Sequence, residues 1–377
     1  METCKLNERW LIAALVLILF LAFWLRFPLI RVGMPYFYNE DEAHHFNRIV
    51  EMVKKGEYNP HYFHKPSLHF YLRMPVVAAA FLWTVREGQI RSLQEIQTRD
   101  PYGIGGYAFT ASHPGIVKWN RALSVLFALG LVLLAFLMAK EALGSGVAGL
   151  LAALLTALSP ELIENAAVIG VDMPMAFFCM LGAYLALRLQ RYFSHTLLTL
   201  SGLVCGLAVS TKYNALPIML VPVLSVAFAK RYDAKSLLIA IVSPVLGFFA
   251  GSPFILFSLP LFLDHFAYEI WHYGVAGHEG YSAEPGLAQA LFYLKWLAWS
   301  GIGVAACVLA PIGVAGIFAK DYRRALVLFF FPAGFALLMI LQKANFTRNL
   351  LVFIPFCAVF CAAGVYALSR LARRHTW

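Results

Sequence analysis

The chain has 377 residues, enough by length alone for two or three soluble domains. Composition excludes that: 61% of residues are hydrophobic, 13% are charged and mean hydropathy is +0.71, against about 45–50% apolar in soluble domains. A water-soluble enzyme, a disordered chain and a disulfide scaffold are ruled out. The net charge of +10 sits in short turns between apolar segments, where membrane topology accounts for it and nucleic acid is not called for.

From the N-terminus, ten segments are candidates to cross a bilayer, which takes about 20 mostly apolar residues. They are 10–30, 119–139, 146–164, 174–190, 196–211, 213–229, 236–257, 298–319, 325–341 and 350–369, the fifth and sixth being short. The first follows Lys5 and Arg9, has no small-residue cleavage site and reads as a retained signal anchor. An eleventh apolar stretch, 67–85, carries His69, Arg73 and Pro75. If it does not cross, every inner turn is basic, with Arg9, Lys140, Arg188, Lys230, Lys320 and Arg370 among the inner cations. If it crosses, every later turn flips and most cations fall outside. The segment is therefore expected to lie at the outer surface.

The expectation is an all-α polytopic membrane protein with about ten transmembrane helices and both ends cytoplasmic. It forms one integral-membrane domain over 1–377. A long first outer loop, 31–118, carries amphipathic surface helices, and 258–297 is a second large outer loop. All of the 11 His except His195 and His375 then lie on the non-cytoplasmic side, as do most of the acids. Titratable chemistry is concentrated there. Cys179, Cys205, Cys307, Cys357 and Cys361 fall inside apolar segments and read as small buried hydrophobes.

Five constellations line that side. In Tyr38-Asn39-Glu40-Asp41-Glu42, Asn39 suits a helix N-cap, the acids suit the positive helix end and Gly56 suits the stop. Phe46, Ile49, Val50 and Val53 make the apolar stripe, and Asp41, His45 and Arg48 share another face. The acids either compensate the helix dipole or present a reactive carboxylate beside the bilayer. The run His61 to His69 holds three His, Lys65 and aromatics; it can bind metal, proton or phosphate, or form an interfacial belt. Asp172, before Pro174, is either a helix cap or a functional carboxylate. Lys212, between two short spans, either snorkels or meets a lipid phosphate. In the second loop, His265, Glu269 and His272 fall on one helical face that can hold a cation or simply be solvated. Arg348 enters the last span as an anchor or a phosphate clamp.

As an ordered set these positions resemble the GT-C superfamily of polytopic glycosyltransferases, especially protein O-mannosyltransferases and lipid A aminoarabinose transferases. The likeness rests on Asp41-Glu42, Lys65-Pro66 with nearby aromatics, Asp172-Met173-Pro174 after Ser159-Pro160, Thr211-Lys212-Tyr213, and Arg348 before Pro355. It covers residues 10–230 well and the remainder loosely. The resemblance implies a polyprenyl-phosphate sugar donor, dolichyl or undecaprenyl, used at the outer or lumenal face. Asp41 is then the general base on an acceptor hydroxyl, with inversion at the anomeric carbon. Glu42 and Asp172 complete the catalytic acids, and Lys65, Lys212 and Arg348 bind the donor phosphate. A divalent metal (Mg, Mn or Zn) is an open cofactor, its ligand candidates being Asp41, His64, His272 and His278. His64 stands where aminoarabinose transferases have an acid. The acceptor is a protein, lipid or glycan. The expected membrane is the plasma membrane of a prokaryote, ahead of the endoplasmic reticulum. The rival reading is a polyprenyl-phosphate transporter or flippase. Span centres nearly free of charge favour interfacial chemistry over translocation.

Overall fold

Apolar segments punctuated by prolines, glycines and basic turns become helices along most of the chain. The computed structural model describes residues 8–99, 108–229, 231 and 233–375; Lys5, Lys230 and residues 100–107 of the first loop lie outside them. In chain order the helices are α1 (Glu8–Arg26), α2 (Glu40–Lys55), α3 (Leu68–Arg86), α4 (Pro114–Leu143), α5 (Gly146–Leu158), α6 (Pro160–Glu164), α7 (Asp172–Leu189) and α8 (His195–Val209). They continue with α9 (Val221–Phe228), α10 (Ala234–Gly251), α11 (Phe254–Phe257), α12 (Leu259–Trp271), α13 (Leu287–Trp296), α14 (Val304–Lys320), α15 (Tyr322–Ile340) and α16 (Phe353–His375). The protein is an integral, multi-pass, all-helical membrane protein.

Among the described residues seven helices are long and apolar enough to span, and nine are if two bent pairs each count as one span. The expected span 146–164 is the first bent pair, broken by 63° before Pro160; the expected span 298–319 is only the later part of the second, Leu287–Gly301 with Val304–Lys320, bent by 114°, whose first helix begins in the expected outer loop 258–297. The expected short spans are the 15-residue α8 and a 3₁₀ stretch, Tyr213–Leu220, running into α9. Pro217 and Pro222 remove backbone donors there, which prevents one continuous α-helix.

Helix α3 is one of the seven. The contacts at its two ends nevertheless fall at the same end of the bundle. Leu68 N donates to Ser210 O past the C-terminus of α8, and Ser67 N to Ser252 Oγ past that of α10. At its other end Trp83 packs on Trp119, in the first turns of α4, with ring centroids 6.1 Å apart. Nineteen helical residues reach about 28 Å, and a helix that crossed the bundle would end among opposite helix termini. It lies along one end instead. Arg73 anchors its middle, donating to Asn120 O (2.8 Å), Ser124 Oγ (2.8 Å) and Gly170 O (3.3 Å).

The main core joins α4, α7, α15 and α16. Two helix pairs approach backbone to backbone because glycines face each other, a packing mode suited to lipid, where no hydrophobic force drives helices together. In α8·α10, a Cβ on Gly206 would sit 2.0 Å from Pro244 O. In α14·α16, one on Gly313 would sit 1.9 Å from Phe360 O. Gly313→Val is therefore expected to destabilise the protein by about 1–3 kcal/mol through overpacking. Thermal unfolding in detergent checks this; an unchanged midpoint would mean that the two backbones do not touch.

Candidate active site

Asn39 opens α2 as the sequence suggests, its side chain accepting from Asp41 N at 3.0 Å, and Gly56 closes it in the left-handed conformation at φ 64°. The buried stripe Phe46, Ile49 and Val50 turns the opposite side of α2, with Asp41, His44 and His45, toward a cavity of about 190 Å³. Lys65 enters it from the segment before α3, and Asp172 from the first turn of α7. Lys212 comes from the break after α8, His272 and His278 from beyond α12, and Arg348 from the 3₁₀ turn before α16. Six distant stretches of chain thus meet at one end of the bundle.

Each cation in the cavity wall faces a carboxylate. Arg348 Nη1 lies 2.8 Å from Asp41 Oδ2. Lys212 Nζ donates to Asp172 Oδ1 (2.5 Å) and to Asn349 Oδ1 (2.6 Å). Lys65 Nζ donates to Glu269 Oε2 (2.7 Å). Lys212 is only 4% exposed, so it reaches a partner instead of snorkelling. Asp172 makes no side-chain cap; Val171 holds the N-cap position and the carboxylate goes to Lys212. Burial opposes the charge on Lys65, but Tyr273 and Glu269 outweigh it and raise the ammonium above its ordinary range. Burial likewise opposes ionisation of Glu269, yet His64 and Lys65 hold its carboxyl below the usual value. Lys65 and Glu269 therefore stay ionised at neutral pH.

The structure separates two expected site residues from the cavity. Glu42 is fully buried and does not line it; Arg121 Nε and Nη2 take its two oxygens at 2.7 and 2.6 Å, and Ile169 N donates to Oε1 at 3.4 Å. His64 bonds Glu269 Oε1 through Nδ1 at 3.1 Å and stacks on His265, ring centroids 4.1 Å apart. The candidate ligands Asp41, His64, His272 and His278 do not converge. Among the described residues no three His, Cys, Asp or Glu side chains come together as a metal site. Asp41 is committed to Arg348 and His64 to Glu269, so the donor set does not fit a metal.

Glu269, Asn349 and Arg121 are functional neighbours that sequence reasoning left out of the site. Glu269 carried a signal in its helical spacing with His265 and His272, and Asn349 only in standing next to Arg348; Arg121 follows Asn120 at the start of an apolar segment, where nothing local marks its partner.

Acid should weaken this end of the molecule. Burial, with Arg48 next, lowers His44 to about 4, and burial, with His44 next, holds His45 well below the ordinary 6.5. Between about pH 6.5 and 4 the unfolded chain takes up protons there that the folded chain refuses, so stability falls as pH falls. Glu269 adds to the loss with the same sign once the unfolded carboxylates protonate. The unfolding temperature in detergent is expected to drop steadily from pH 7 to 5; a flat or rising profile would contradict these assignments.

Residues 107–274 match the sequence profile of the dolichyl-phosphate-mannose-protein mannosyltransferase family. No curated protein matches the chain. Among solved structures, ArnT from Cupriavidus metallidurans bound to undecaprenyl phosphate is similar at 17% identity and TM-score 0.63, over 98% of this chain and 62% of that one. The Archaeoglobus fulgidus oligosaccharyltransferase in the apo form is similar at 12% identity and TM-score 0.62, over 99% of this chain and 52% of that one. The same archaeal enzyme, AglB, in complex with an inhibitory peptide and a dolichol-phosphate gives 12% identity and TM-score 0.60, over 97% and 52%. It has also been solved with Zn and sulfate. The chain thus spans between half and three-fifths of the length of these proteins. At such low identity the likeness shows the fold, which is GT-C-like.

Proposed function

We propose that this chain, with its GT-C-like fold and its mannosyltransferase-family segment at 107–274, transfers a sugar from a polyprenyl-phosphate donor to an acceptor hydroxyl. The reaction inverts the anomeric centre and takes place at the non-cytoplasmic face of the membrane. Three carboxylate–cation pairs around one cavity at one end of the bundle carry this reading.

The chemistry follows from what such a reaction needs. The leaving group is a lipid phosphate, and cations must meet the charge it develops. Lys65, Lys212 and Arg348 supply them. A base must take the acceptor proton as the hydroxyl attacks in line. Asp41 suits this role: its side chain is 42% exposed, toward the cavity, while Glu42 beside it is locked away. Arg348 pairs with Asp41 at 2.8 Å. A donor phosphate competes for that guanidinium, so binding the donor releases the carboxylate for the acceptor. Asp172 positions Lys212 together with Asn349.

The test uses the protein in nanodiscs with labelled undecaprenyl- and dolichyl-phosphate sugars and host membrane extract as acceptor. Label is expected to pass from one donor into protein, lipid or glycan. Donor bound and never consumed there, but moved across the bilayer of sealed proteoliposomes, would instead identify a polyprenyl-phosphate flippase.

A further inference from the structure

His45 lies in the wall of the cavity and His69 packs behind it, both outside the three ion pairs. His45 is 3% exposed and lines the cavity from α2; His69 is fully buried in the first turn of α3. Their rings meet edge to face with Nε2 of His69 3.1 Å from Nδ1 of His45, and Nδ1 of His69 is 2.9 Å from the Pro66 carbonyl.

The hydrogens in this chain can be placed by elimination. A carbonyl oxygen only accepts, so Nδ1 of His69 carries a proton. In a neutral ring its Nε2 is then bare and accepts from His45, whose Nδ1 must carry the proton. Nε2 of His45 is left as a lone pair. Both rings are held neutral by their surroundings: they are buried, and the neighbouring charges on Lys65 and Arg73 disfavour a second proton on either ring. Among the described residues nothing bonds Nε2 of His45. With Nδ1 committed to α3, the part of the ring left to face the cavity carries that nitrogen. Asp41 lies one helical turn before it on the same face of α2.

We infer that His45 is an acceptor-only contact for the transferred sugar, taking a hydrogen bond from a sugar hydroxyl while Asp41 serves the attacking hydroxyl. The Pro66–His69–His45 chain fixes the tautomer, as an outer hydrogen bond fixes a ligating imidazole. The contact requires a donating group on the sugar, and a site built to bond a hydroxyl rejects an analogue lacking it by about 10⁴-fold or more. The identity of the ligand rests on the transferase reading; the tautomer does not.

The experiment is ¹⁵N NMR of histidine-labelled protein in nanodiscs at pH 7.5, assigned with His45→Gln and His69→Gln. Protonated Nδ1 and bare Nε2 are expected on both residues, and His69→Phe should release His45 to the opposite tautomer. An imidazolium, or a proton on Nε2 of His45 in the wild type, overturns the relay. Undecaprenyl-phosphate mannose, glucose and galactose are then added in turn, with undecaprenyl phosphate as control and ³¹P reporting binding. At least one sugar lipid is expected to move Nε2 of His45 upfield, the direction of an accepted hydrogen bond, and the control is not. A ³¹P response with Nε2 unmoved, or moved equally by the control, overturns this inference alone. A silent ³¹P spectrum with all four lipids overturns the donor reading and the sugar contact together.

Discussion

Asp41→Asn is expected to lower sugar transfer by about 10²–10⁴-fold, the share that a positioned general base contributes, while fold and lipid binding persist. The substitution keeps the size of the side chain and leaves the helix start intact, because the cap is made by the Asn39 side chain to the backbone of residue 41. It removes a carboxylate that is half in water and bonded to Arg348 at 2.8 Å, so little stability depends on it. Arg348 loses its carboxylate partner and becomes easier for a phosphate to recruit; donor affinity is expected to hold or rise as turnover falls. Measuring donor binding and turnover on the same sample separates these effects. Turnover like the wild type in a folded Asp41→Asn protein would falsify the assignment of the base.

Glu42→Gln should act in the opposite sense, on folding first. Glu42 and Arg121 are both fully buried, and their two parallel hydrogen bonds are shorter than 2.8 Å. Arg121 Nη1 also donates to Val32 O at 2.6 Å and Ile30 O at 3.4 Å, and its guanidinium lies 4.9 Å from the centroid of the Tyr38 ring. The pair ties the exit of α1, the start of α2, the first half of α4 and the bend before α7 into one block. Asp41 precedes Glu42 by one residue, and Ile169, which donates to Glu42, precedes Asp172 by three. The pair therefore sets where both cavity carboxylates stand.

Removing one partner of a buried pair leaves an uncompensated charge and costs about 3–5 kcal/mol. Glu42→Gln is expected to lose that much stability, and Glu42→Leu with Arg121→Met is expected to recover most of it. Activity is expected to stay low in the double variant, because apolar contact does not reproduce the bonds to Val32 and Ile169. Unfolding midpoints of the single and double variants, read beside turnover, check this. A single variant as stable as the wild type would show that the pair is not buried in the membrane-embedded protein.

Much of this was legible in the chain. The span pattern and the basic turns follow from transfer free energies summed over about 20 residues, a local quantity that needs no partner. The α2 helix was readable from Asn39 to Gly56 because caps and dipoles are also local. The set Asp41, Lys65, Asp172, Lys212 and Arg348 was readable because charged groups at a bilayer face are few and costly, and all five line one cavity. What could not be read was pairing. Glu42 looks like Asp41 in sequence, yet α2 turns adjacent residues about 100° apart, sending one carboxylate to the cavity and the other to Arg121. Asp172 looks like a helix cap, and only the neighbouring break after α8 shows that it serves Lys212. His64 looks like a ligand until α12 brings Glu269 against it. Composition and local pattern suffice for the class of protein and for the residue types that gather at one end of the bundle. Which carboxylate meets which cation, and which one faces the cavity, emerges only once the helices are packed. Those contacts join residues as far apart as 41 and 348, and their energies depend on burial and distance, which no local pattern in the chain encodes.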